Sequence, residues 1–163
     1  MRKYWPIAAV FAAVLLLAFA LEQVASHRAT EMRRLADNRA KWSAHDIRDY
    51  RFRLSSRGAW GHGTTVVVTV RDSKVASADP SAGMLQPDAV DCAAPPVTFG
   101  AKIPCNTIPD MFDRIADMVG HPGSRVSVRY QGVLGFPESI YYDLPKASDE
   151  EFSVFIGDFT QLH

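Results

Sequence analysis

Residues 4–21, YWPIAAVFAAVLLLAFAL, form an unbroken uncharged run directly behind Arg2-Lys3. Such a run partitions into a bilayer, and the basic residues ahead of it hold that end in the cytoplasm. The sequence therefore divides into an N-terminal signal-anchor or signal peptide over 1–24, a helical connector over 25–45, and a single globular domain over 46–163. Ala18-Phe19-Ala20 offers an A-x-A-like exit for cleavage. Against cleavage, no Gly or Pro breaks the helix just before Ala18, and the following LEQVASHRATEMRRLADNRAKW can carry the same helix onward. The expected location is the inner membrane, anchored through 4–21, with the domain in the periplasm or at the cell exterior. The alternative is a secreted or periplasmic protein released by cleavage.

What remains is one ordinary domain of roughly 115 to 130 residues, enough for a real core. The chain carries 18 basic and 18 acidic residues, so its charge gives no reason to expect nucleic acid as a partner. The two cysteines, Cys92 and Cys105, suit an exported protein, and a disulfide between them is expected in an oxidising compartment. The five histidines are scattered without metal-ligand spacing, so no metal and no cofactor is expected.

Periodicity gives the order of elements. Met32, Leu35, Ala36 and Trp42 recur at near-helical spacing within 30–44. Asp49 to Arg57 alternates, with Tyr50, Phe52 and Leu54 pointing one way. The β-branched TTVVVTV at 64–70 reads as a strand buried on both faces, followed by a tight turn at Asp72-Ser73 and a third strand. Asp79 to Asn106 is a long loop without periodicity. Thr107 then opens the best-defined helix, with an N-cap hydroxyl, Pro109 in the first turn and Asp110 three residues on. Ile108, Met111, Phe112, Ile115, Ala116 and Val119 make its core face, and Gly120 and Pro122 end it. Strands are predicted over 125–130, 138–143 and 152–159. The fold class is α+β: an antiparallel sheet of about five to six strands with helices on one face, preceded by a membrane helix. The two halves resemble a loose duplication of a helix followed by a meander, without a residue-level repeat.

An ordered series of motifs runs through this domain: D-Y-x-F at 49–52, V-x-V-R-D-x-K-V at 68–75, T-I-P-D-M-F-D-R-I at 107–115, V-x-V-R-Y at 126–130, L-G-F-P-x-S-I-x-Y-D at 134–143, and D-E-E-F before the last strand. The series resembles the exported bacterial family catalogued as domain of unknown function 6174, over about 39–162. The resemblance implies the fold and export, and it implies no activity. Where the family's turn usually has glycine, this chain has Ser73.

No catalytic constellation stands out. Ser55, Ser56 and Ser139 lack a nucleophile elbow, and GAWGHG at 58–63 precedes a strand, so it cannot cradle phosphate at a helix N-terminus. Asp110, Asp113 and Asp117 share the outer side of their helix as a solvated face. The alternation instead places Arg51, Arg53, Arg125 and Arg129 on the sheet face opposite the core, with Arg71 joining them according to register. Arginine forks suit carboxylates, phosphates and interfaces. The leading expectation is a non-catalytic envelope domain that binds another protein or an anionic envelope component through these arginines, Trp60 and Phe155 adding to the surface where exposed. The rivals are a hydrolase-type enzyme with a site under the 79–106 loop, drawing on His62, Asp91 or Asp149-Glu150-Glu151, and a structural protein of envelope assembly.

Overall fold

The computed structural model describes residues 5–58, 64–80, 90–91, 103–104, 106–143 and 152–162. Helix α1 (Trp5–Ala44) is followed by strands β1 (Tyr50–Gly58), β2 (Thr64–Arg71) and β3 (Lys74–Pro80). Two short strands, β4 (Val90–Asp91) and β5 (Ile103–Pro104), come next, then helix α2 (Ile108–Gly120). Strands β6 (Arg125–Tyr130), β7 (Pro137–Asp143) and β8 (Phe152–Gln161) complete the chain. The architecture is α+β, with a six-stranded antiparallel sheet in the order β3-β2-β1-β8-β7-β6 and two helices.

Alternation decides the faces. Tyr50, Phe52 and Leu54 on β1 bury beside Val66, Val68 and Val70 on β2, Val126 and Val128 on β6, and Ile140 and Tyr142 on β7. Leu35 and Trp42 of α1 and the apolar face of α2 close this side. Trp42 is the joint, its ring meeting those of Tyr50, Phe159 and Phe136 edge-on at 5.3, 5.7 and 6.3 Å. The other side of the sheet has no helix over it among the described elements. That asymmetry corrects the reading of TTVVVTV: Val66, Val68 and Val70 are buried, whereas Thr65, Val67 and Thr69 are only half-buried. β-Branching there reflects strand propensity, not burial on both faces.

The α2 N-terminus shows how completely local signals specify this helix. An α-helix begins with four amides that lack intrahelical partners. Here the Ile108 amide donates to the Tyr50 hydroxyl at 2.9 Å, Pro109 has no amide to satisfy, and the Asp110 amide donates to Thr107 Oγ1 at 3.2 Å. Asp110 returns a carboxylate to the Thr107 amide at 2.8 Å, completing a capping box. At the other end, Arg28 of α1 donates to the carbonyls of Gly120 and His121 at 3.0 and 2.9 Å, so α1 covers the end of α2.

The turn at Asp72-Ser73 holds both residues at positive φ, 49° and 62°, the primed geometry that matches strand twist. Gly135, at φ 79°, lies against α1 so closely that a Cβ would stand 2.5 Å from the Asn38 carbonyl. The G-F-P block thus fixes the β6–β7 connection onto α1.

The suspected duplication does not hold in space. The two meanders, β1–β2–β3 and β6–β7–β8, lie side by side in the same strand order but with opposite strand directions. With both helices on one face, only a reflection relates such units, and no rotation of an L-chain performs one.

Among the described residues no helix is long and apolar enough to cross a membrane. Most side chains of the sequence-predicted span at 4–21 lie outside that set. The backbone of α1 is nevertheless helical without interruption from Trp5 to Ala44.

Candidate functional site: the open face of the sheet

Register determines what stands beside each arginine. Arg51 and Arg53 project from central strand β1, opposite Thr69 and Val67 of β2, while Arg125 and Arg129 project from edge strand β6. All four are exposed, on the face away from the core. They do not form one cluster, because β8 and β7 intervene and put about 14 Å between the two pairs at ordinary strand spacing.

The pairs differ electrostatically as well. A register shift in β8 sets Asp158 at φ 50° and turns its carboxylate onto Arg53, forming an ion pair. A second irregularity, between Arg129 and Tyr130, brings Glu138 to Arg129 at 3.1 Å. Arg51 and Arg125 have no acidic partner among the described residues. Arg71 is exposed on the same side, opposite Lys74. Arg51, Arg53, Val67, Asp158 and Thr160 line a shallow open dish of about 220 Å³. It is too open to enclose a compact substrate.

The sequence had offered Phe155 for this face, but not its neighbours Tyr141 and Arg57. Phe155 on β8 is 40 % exposed and Tyr141 on β7 is 37 % exposed. The guanidinium of Arg57, on β1, lies 6.0 Å from the centre of the Phe155 ring. Arg57 continues the period-2 series of Arg51 and Arg53, so it was available from alternation alone. Tyr141 was masked by its place in an apparently apolar S-I-Y-Y run.

Residues 34–161 match the model of a family of unknown function, DUF6174. The chain belongs to this family. The matched span includes every described strand and both sides of the open face, so family membership covers the fold and the candidate surface together. No curated protein and no solved structure matches the chain.

The helix side carries a different polar cluster. Glu31, 6 % exposed, accepts from Arg34 at 2.7 Å, and Arg34 also donates to the Val128 carbonyl at 3.0 Å. This contact covers part of the otherwise free edge of β6, the usual remedy for an exposed strand edge. Tyr130 lies beneath Arg34, and burial, reinforced by nearby Glu31, raises its hydroxyl pKa well above the ordinary value. Arg114, on α2, is 6 % exposed, and burial lowers its guanidinium pKa to about 10. Of the three α2 aspartates, Asp110 serves the capping box, Asp113 pairs with Arg39 at 2.6 Å, and Asp117 is exposed.

Among the described residues no group of three or more His, Cys, Asp or Glu is placed to hold a metal ion. Trp60, His62 and Asp149-Glu150-Glu151 lie outside the described residues, as do Cys92 and Cys105. The two residues preceding the cysteines, Asp91 and Pro104, are register partners in the parallel β4–β5 pair.

Proposed function

We propose that this is a membrane-held binding domain of the bacterial envelope, which engages an anionic envelope component through the open face of its sheet. The observation that carries the reading is the asymmetry of that face. One side of the sheet is covered by two helices, while the other presents Arg51 and Arg125, without acidic partners among the described residues, on the same face as exposed Phe155 and Tyr141. Unpaired guanidinium groups retain their full capacity for bidentate contact with carboxylate or phosphate. A flat face of this kind suits an extended partner.

Support for the membrane tether comes from helix continuity. Residues 18–30 belong to the same helix as Leu35 and Trp42 in the core, so cleavage after Ala20 would cut through a continuous helix. A helix rises 1.5 Å per residue, which places Arg28 about 10 Å beyond residue 21. Its hydrogen bonds to the end of α2 then hold the domain close to the bilayer surface.

The test combines location and charge. A C-terminal alkaline phosphatase fusion is expected to be active, as only an exported domain allows. Arg51→Glu with Arg125→Glu is expected to abolish capture of the partner while leaving the melting temperature nearly unchanged. Arg125 is preferred to Arg129 because reversal at 129 would break the ion pair with Glu138, whereas Arg125, opposite Asp143 in the register, forms no ion pair among the described residues. Undiminished capture by the double variant contradicts the reading.

A further inference from the structure

We propose that the component recognised by the open face is an acidic glycan chain, stacked on the rings of Phe155 and Tyr141. This deepens the binding reading above and rests on it. The register places a serine on each neighbouring strand beside both rings: Ser139 and Ser55 flank Phe155, and Ser127 and Ser153 flank Tyr141. Two residues beyond Phe155 comes Gly157, which adds no side chain. Small neighbours leave the rings as the tallest apolar features of the centre, with hydroxyl groups around each. The rings sit on adjacent strands two residues apart, a diagonal of about 7–8 Å.

This arrangement matches the surface chemistry of a sugar. A pyranose presents C–H groups on its face and hydroxyls around its edge. An aromatic ring collared by serine hydroxyls offers an apolar platform for the first and hydrogen-bond partners for the second. Arg57, next to the Phe155 ring, supplies a fork for a carboxylate borne by the same chain. A protein partner fits less well, because a face on which serines flank Phe155 and Tyr141 makes a poor dry apolar centre for a protein interface. Single-stranded nucleic acid also stacks on rings, but its binders set those rings in a strongly basic groove. Here the chain is neutral overall, and Arg53 and Arg129 are already paired with acids.

The experiment uses the full chain in detergent micelles and measures binding of polygalacturonate, with dextran and polyadenylate as comparison probes. The expected result is binding of polygalacturonate, with dextran weaker and polyadenylate no tighter. Phe155→Ala with Tyr141→Ala should weaken polygalacturonate about tenfold or more, the effect of losing two central aromatic contacts. Phe155→Trp, which keeps a stacking surface, should retain it and guards against loss through misfolding. The proposal is overturned if polygalacturonate does not bind, if polyadenylate binds more tightly, or if the double ring variant binds as the parent does. Should polygalacturonate fail while Arg51→Glu with Arg125→Glu still abolishes capture in cells, the glycan is excluded and the arginine face stands.

Discussion

Replacing Tyr50 with Phe isolates one oxygen atom that joins the sheet to α2. The Tyr50 hydroxyl accepts the buried amide of Ile108 at 2.9 Å, and both residues are at most 1 % exposed. Phenylalanine preserves the ring contacts with Trp42, Phe52 and Phe159 at 5.3, 6.0 and 5.6 Å, so the change opens almost no cavity. What it removes is the acceptor that this amide has among the described residues. An unsatisfied buried amide costs about 1–3 kcal/mol, which corresponds to a fall in Tm of roughly 3–10 °C for a chain of this size. The same oxygen has a pH signature. Burial raises the Tyr50 pKa from 10.0 to about 12. Below pH 10 the phenol is neutral in both states and the stability is fully present. Between pH 10 and 12 the unfolded chain ionises first, and stability falls by up to about 3 kcal/mol. Urea unfolding at pH 7 and at several points above pH 9.5 measures both effects. Tyr50→Phe should lower the pH 7 midpoint and flatten the alkaline slope, leaving a residual slope from Tyr130. An unchanged midpoint together with an unchanged slope would refute this account of the sheet–helix joint.

Two further outcomes follow from the geometry. Gly135→Ala forces a Cβ onto the Asn38 carbonyl and Lys41 Cβ at a left-handed φ, so thermal unfolding should show a loss of about 2 kcal/mol or more. A Cys92–Cys105 disulfide is expected in the exported protein, since each cysteine directly follows a partner of the Val90–Ile103, Asp91–Pro104 register. Intact mass before and after reduction detects it, and closing so short a loop should stabilise the fold by about 3 kcal/mol.

Much of this fold is readable from the sequence wherever the determining interactions are local. The Thr107–Asp110 capping box, the core stripe of α2 and the alternation of Tyr50-Phe52-Leu54 and Val126-Val128 all depend on residues a few positions apart. Strand order is different: β8 pairs with β1 across a hundred residues, and no local pattern announces it. The same limit applies to the site. Alternation assigns Arg51, Arg53, Arg125 and Arg129 to one face, but their ion pairs depend on two bulges that deliver Asp158 and Glu138. The burial of Arg114 comes from tertiary packing and has no counterpart in the local pattern of α2. The serine collars around Phe155 and Tyr141 exist only once four strands are in register.

The central claim, that the open face is the binding surface, is tested most directly by a photo-crosslinking residue at Ser139 in the native host. A matched protein carries it at Asp117, on the exposed side of α2. The account predicts an adduct from position 139, in sugar-bearing material or an anionic envelope component, that disappears with Arg51→Glu and Arg125→Glu. An adduct from position 117 alone, or one from 139 that survives the reversals, would contradict it.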